Sequence, residues 1–170
     1  MRVQAVTNEA EFADALAIRF AVFVDEQAVD PESERDNLDD DPRTLHCVAY
    51  ADDGTPLAVG RLLAPHTDTF HGAGTSHGLM DPALPHIGRV AAIKQARGTG
   101  AGRAVMEFLE EAALERHGAS GEVRVELSAQ DQAMDFYARL GYTAFGEGYL
   151  DEGITHHDAY KVVTDEDVPL

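Results

Sequence analysis

Apolar residues recur along this chain in two rhythms. Residues 2–6, "RVQAV", alternate and read as a short strand. "TNEAEFADALAIRFAVFVDEQ" follows at helical spacing, with Phe12, Leu16, Ile18, Phe20 and Phe23 among its apolar positions and Thr7 or Asn8 as cap. Residues 30–41, "DPESERDNLDDD", are acidic and nearly free of apolar side chains, the pattern of a solvated loop. "TLHCVAYA" and "PLAVGRLLA" are β-rich runs joined by "DDGT", where Asp53-Gly54 predicts a hairpin. From Pro65 to Pro85 the prolines, glycines and His66, His71 and His77 describe a loop or insertion. "HIGRVAAI", residues 86–93, reads as a buried strand. After it, Val105, Phe108, Leu109, Ala112 and Ala113 form one continuous helical stripe. "GEVRVELSA" is a strand and "DQAMDFYARL" a helix, capped by Asp131 and ended by Gly141. "YTAFGE" and "THHDAYKVV" give two closing strands. The order β-α-(α)-β-β-β-α-β-α-β-β, without internal repeat, predicts an α/β (α+β) fold. It has a mixed sheet with flanking helices, in one domain spanning residues 1–170.

The bulk numbers narrow the function. At 170 residues, 44% hydrophobic and 26% charged, the chain has the composition of an ordinary globular domain. No run approaches the roughly 18 apolar residues of a membrane span. "MRVQAVTNEAEF" lacks the basic-then-apolar order of a signal peptide, so the expected location is cytoplasmic. Cys47 stands alone in an apolar run and reads as a small buried hydrophobe. The 31 acidic against 13 basic residues give a formal charge of −18. That field repels nucleic acid and anionic membrane and attracts an amine-bearing substrate. It also suits a high-salt cytoplasm, where surface carboxylates keep a protein soluble. The spacings of His66, His71 and His77 fit no standard ligand pattern, so no metal is expected.

The chemistry gathers in "KQARGTGAGRAV", Lys94 to Val105, between a predicted buried strand and an amphipathic helix. A linker would separate two compositional halves, whereas this stretch sits inside one α/β alternation. A strand–glycine loop–helix unit aims backbone N–H groups and the positive helix end at one spot, which suits a phosphate or pyrophosphate. The Walker pattern fails because no lysine and serine or threonine follow the glycines. The dinucleotide fingerprint GxGxxG fails because Arg103 stands where its third glycine belongs.

What does fit is RxxGxG, carried by Arg97, Gly100 and Gly102. Here the sequence resembles the GNAT acyltransferases, whose pyrophosphate loop is [QR]-x-x-G-x-[GA]. "FYARLGY", Phe136 to Tyr142, is similar to their second marker. "AVFVDEQ", "IGRVA", "LSAQ" and "YLDEGITHHDAYKV" resemble the ElaA-type branch, so the likeness runs from about residue 19 to 163. It implies a sheet splayed between its fourth and fifth strands and acetyl-coenzyme A as co-substrate, with no metal. On that resemblance Val90, Ala91 and Ala92 offer backbone groups to pantetheine and thioester. Gly98, Thr99, Gly100, Ala101, Gly102 and Arg103 wrap the pyrophosphate, with charge from Arg97 or Arg103. Tyr137 is implied as the general acid that protonates the departing thiolate. Gln130 stands where many relatives carry a coenzyme-contacting asparagine, and Lys94 replaces a common proline.

The general base is open. Glu126 alternates with Val125 and Leu127 and so faces cleft or solvent. Glu26, Gln27 and His156 could line the acceptor side, ordered water could serve, and His157 with Asp158 forms a further pair. The expected activity is acetyl transfer from acetyl-CoA to a primary amine of a small molecule or peptide. A non-catalytic acyl-CoA sensor of the same fold is the alternative. "RFAVFVDEQ" also resembles acyl-homoserine-lactone synthases, against which the short chain and the ElaA-type tail argue. A homodimer stays open.

Overall fold

The computed structural model describes residues 1–65 and 80–167. His66, His71 and His77 lie outside those residues. The chain forms two compact units, Met1–Leu63 with Ile87–Glu110, and Ala64–His86 with Glu111–Leu170.

In the first unit, β1 (Arg2–Ala5) pairs antiparallel with β2 (Leu45–Tyr50), and β2 with β3 (Pro56–Leu63); β4 (His86–Ala92) follows beside β3. The predicted hairpin joins β2 to β3, with Gly54 at φ +88. Helix α1 (Glu9–Arg19) is capped by Asn8, whose side chain accepts the Glu11 N–H at 2.8 Å. Glu11 in turn accepts the Thr7 N–H at 2.8 Å and the Thr7 hydroxyl at 2.9 Å. Ala15 and Ile18 of α1, with Val22 beyond it, pack on Val48, Tyr50, Val59 and Ala91. A one-turn helix, α2 (Pro31–Glu34), lies between β1 and β2, and helix α3 (Ala101–His117) follows β4. A Cβ at Gly60 would stand 2.8 Å from both Leu109 and Val105, so a glycine there lets the start of α3 lie directly on β3. Cys47 is buried, and burial pushes its thiol up to about 12.

Two expectations need correction here. The first helix does not run regularly to Gln27. At Phe20 it widens into a π-helical segment, Phe20–Glu26, where the Gln27 N–H reaches the Val22 carbonyl at 3.1 Å. Val22, Phe23 and Val24 are poor α-helix material because their side chains crowd the preceding turn. Nor is the 30–41 segment a solvated loop. Asp30 caps α2 (Pro31–Glu34), and Asp36 caps a 3₁₀ turn, Asn37–Asp40. Glu34 and Asp39 are only 2% and 7% exposed. Buried arginines supply the compensating charge.

In the second unit, β5 (Glu122–Gln130) pairs antiparallel with β7 (Ile154–Thr164), and β7 with β6 (Thr143–Asp151). His86, the first residue of β4, lies parallel beside Glu126 of β5, so the sheet is mixed as predicted. Val125, Leu127 and Ala129 alternate into the core with Ala159 and Val163. Helix α4 (Met134–Arg139) ends at Gly141, φ +98, as expected. Asp131 does not cap it. A 3₁₀ turn, Asp131–Ala133, intervenes, and the Asp131 carboxylate instead takes the His157 Nδ1 at 2.7 Å. The last hairpin turns at Glu152-Gly153, φ +51 and +75, and its strands run longer than the alternation suggested.

Candidate active site

The glycine loop belongs to the first unit. β4 ends at Ala92, a single 3₁₀ turn covers Lys94–Ala96, and the chain then passes through Gly98 at φ +78 and Gly100 at φ +89. Both glycines have open space where a Cβ would stand, so backbone conformation rather than crowding selects them. Thr99 is held by its N–H to the Ala96 carbonyl at 3.2 Å and by its hydroxyl to the same oxygen. The first bond of the α3 ladder runs from the Ala104 N–H to the Gly100 carbonyl at 2.9 Å. The N–H groups of Ala101, Gly102 and Arg103 therefore precede it, at the positive end of the helix. Left-handed glycines leading into a helix start are a backbone arrangement that suits an anion.

Arg97 donates to the Ala92 carbonyl at 3.2 Å and to Glu26 at 2.7 Å. Two residues assigned separately in the sequence, one to the coenzyme and one to the acceptor, thus form an ion pair. Arg103 is exposed and pairs with Glu107 at 2.9 Å. The Gln27 N–H caps the π-helical segment through Val22. Val90, Ala91 and Ala92 follow directly after Arg89, which sits at φ +52 inside β4. A left-handed non-glycine in mid-strand bends the strand locally and is held only where neighbours fix it.

Those neighbours were missed in the sequence. Arg89 meets the Glu34 carbonyl at 3.2 Å and carboxylate at 3.3 Å, and Asp36 at 3.3 Å. Arg19 binds Asp39 through two nitrogens at 2.8 and 3.0 Å, and Glu34 at 3.0 Å. Arg61 binds Asp36 and Asp39 at 2.7 and 2.8 Å. Burial works to raise Asp39 and Asp36, but the arginines outweigh it and hold both carboxyls below their ordinary range. At Glu34 burial wins and raises the carboxyl. The available signal was Arg19 and Arg61 inside the apolar runs "AIRFAVF" and "AVGRLLA". A buried guanidinium demands partners.

The second unit carries the other candidates. Tyr137 is buried on α4, its ring edge-on to Phe136 at 5.1 Å and to Tyr142 at 5.8 Å. Burial pushes its hydroxyl up to about 12. Glu126 is 2% exposed. Its Oε1 accepts the Asp81 N–H at 2.7 Å and its Oε2 the Arg124 Nε at 2.9 Å, with His86 Nε2 3.9 Å away. Gln130 accepts from Gln132 at 2.7 Å and lies opposite His156. His156 is buried, bonds the Ile154 carbonyl at 2.7 Å through Nδ1, and stacks on Tyr149 at 5.9 Å. His157 and Asp158 do not act as a pair. His157 turns to Asp131, while Asp158, 1% exposed, accepts the Tyr149 hydroxyl at 2.6 Å. Tyr149 escaped the sequence reading because its reach to Asp158 depends on strand register. Among the described residues, no three His, Cys, Asp or Glu side chains converge as metal ligands, and no helix is long and apolar enough to cross a membrane.

Comparison with known proteins agrees on one family. The model of the acetyltransferase (GNAT) domain matches residues 5–162. The uncharacterized N-acetyltransferase YjcF of Bacillus subtilis (strain 168) is 34% identical over 162 residues, covering 95% of this chain and 99% of its own. An acyl-CoA N-acyltransferase from Pseudomonas aeruginosa superposes with a TM-score of 0.74 at 31% identity, over 94% of this chain and 98% of its own. Escherichia coli ElaA shares the fold, with a TM-score of 0.74 at 22% identity over 95% of this chain and 99% of its own.

Proposed function

Because the chain belongs to the GNAT acetyltransferases and is an acyltransferase, we propose that it moves acetyl from acetyl-CoA to a primary amine of a small molecule or peptide. The amine attacks the thioester directly while both substrates are bound. The observation that carries this reading is the glycine loop, with left-handed Gly98 and Gly100 leading into the start of α3. Its amides receive the pyrophosphate, and Arg97 or Arg103, paired with Glu26 and Glu107 respectively, adds charge at its rim. Val90, Ala91 and Ala92 offer backbone groups to the pantetheine and polarise the thioester carbonyl. The bend at Arg89 supports that role, because it interrupts the regular strand just before them. Gln130 stands in for the asparagine of other members.

Attack gives a tetrahedral intermediate whose C–S bond breaks with the electron pair leaving on sulfur. Tyr137 supplies the proton that turns this thiolate into the thiol. A hydroxyl raised to about 12 stays protonated at neutral pH, the form a general acid needs. Glu126, which accepts from the Asp81 N–H and from Arg124, is assigned as a candidate base and as an anion that favours a cationic acceptor. Glu26, Gln27 and His156 are assigned to the acceptor. We read the chain as one cytoplasmic domain of the ElaA-like branch, with an acidic surface suited to high salt and without nucleic-acid or membrane partners. Turnover of acetyl-CoA in a panel of amines, peptides and aminoglycosides tests the reading. Binding of acetyl-CoA without turnover makes the protein a sensor instead.

A further inference from the structure

An amine reaches its acetyl donor as an ammonium ion and must lose a proton before it can attack. Removing the proton requires an acceptor, and Glu126 already accepts from the Asp81 N–H and from Arg124. The same sheet face offers another. In the β5–β7 register Ser128 lies opposite Asp158, between the pairs Glu126–Tyr160 and Gln130–His156. Residues directly opposite in an antiparallel pair share a face. From β6, Tyr149 lies opposite His156, donates to Asp158 Oδ1 at 2.6 Å, and shares a hydrogen bond with Ser128 Oγ. Asp158 is only 1% exposed, whereas Ser128 is half-buried. The three groups form one hydrogen-bonded chain from the hydroxyl of a half-buried residue to a buried carboxylate. Burying a carboxylate is costly unless something uses or compensates it.

Resting on the transferase reading above, we propose that Ser128, Tyr149 and Asp158 form the proton exit for the acceptor amine. The ammonium N–H bond breaks with its electron pair staying on nitrogen, and the proton passes to Ser128 Oγ. Ser128 gives its own proton to Tyr149, and Tyr149 gives its proton to Asp158. Asp158 ends as a neutral acid and the two hydroxyls are restored; once the product has left, the proton returns along the same chain through Tyr149 and Ser128 to water before the next cycle. Ser128 is the catalytic residue; Tyr149 and Asp158 act through it. Polar and aromatic groups face Asp158 from three strands. They are Ser128, Glu126 and Gln130 from β5, His156 and Tyr160 from β7, and Phe145 and Tyr149 from β6. Asp151 adds negative charge near Tyr149. Arg124, 3.8 Å from the Tyr160 ring centre, is a cation on this face. Burial and Asp158 hold the Tyr149 hydroxyl above the ordinary phenol range, so it relays a proton without ionising.

The test is kcat/KM for acetyl transfer against pH in the full chain and in Ser128→Ala, Tyr149→Phe and Asp158→Asn. An alkylamine, an aminoglycoside and a peptide N-terminus serve as probes, the fastest being carried forward. Each variant should lose roughly 10²-fold near neutral pH, the ordinary worth of a positioned base. The loss should shrink as pH rises and free amine accumulates, with acetyl-CoA affinity unchanged. Tyr149→Phe keeps the ring on His156 and guards against a folding artefact. An unaltered pH profile, or a loss equal at every pH, overturns the relay while leaving the transferase reading intact. Absence of turnover by the unaltered chain overturns both.

Discussion

Arg19 closes a two-pronged ion pair on Asp39, with Nη1 and Nη2 at 2.8 and 3.0 Å and both side chains shut from solvent. It ties the last turn of α1 to the acidic segment, and Arg61 and Arg89 extend the tie to β3 and β4. Removing one partner of a buried pair leaves an uncompensated charge, typically a loss of about 3–5 kcal/mol. Asp39→Ala should lower the unfolding free energy, measured by denaturant titration, by that order. Asp40→Ala, which breaks only the exposed pair with Arg35, should change stability by no more than about 0.5 kcal/mol. Equal effects of the two would contradict the burial argument.

Acid should loosen the same network. Asp39 and Asp36 titrate below their unfolded values, so the unfolded chain binds more protons as pH falls. Their contribution is complete above the ordinary carboxylate range, near pH 4, and is lost on descent through the lowered values. Glu34, raised by burial, acts oppositely: its contribution is present in acid and lost as pH rises through the raised value. With two depressed groups against one raised, Tm should fall between pH 5 and about pH 3, and fall less in Asp39→Asn. Melting curves across that window check the sign.

Gly100→Glu should abolish measurable acetyl-CoA binding, because it puts a carboxylate into the anion cradle at a left-handed position. Gly54→Ala places comparable backbone strain in the remote hairpin, φ +88. It should cost stability alone. Calorimetric titration of both variants separates strain from site, and intact binding by Gly100→Glu would sink the loop assignment.

Tyr137→Phe should lower kcat roughly 10²-fold while leaving KM for acetyl-CoA unchanged. The ring, packed on Phe136 and Tyr142, stays in place. With the hydroxyl at about 12, Tyr137 should produce no alkaline fall in kcat below about pH 11. A fall centred near pH 9 would point to a different acid.

The formal charge of −18 predicts that solubility and activity hold in molar salt. A steady decline from dilute buffer upward, followed by scattering and rate, would refute the high-salt reading.

Legibility followed the range of the interaction. The Asn8 cap, the Asp53-Gly54 hairpin and the left-handed glycines of the loop are local, written within a few residues. Arg19 and Asp39 lie 20 positions apart, and an acidic run folded around arginines has the same composition as one left in water. Asp131 looked like a cap because capping is read locally, yet its partner His157 lies 26 residues on. Tyr149 meets Asp158 across a register shift between Phe145 and Tyr149, which period-two alternation does not encode.

The most direct measurement is release of free thiol from acetyl-CoA by the purified chain, with and without added amine. Acetyl transfer predicts release that depends on the amine, saturates with it, and matches the N-acetylated product one for one. Tight acetyl-CoA binding with no amine-dependent thiol across the whole panel would contradict it.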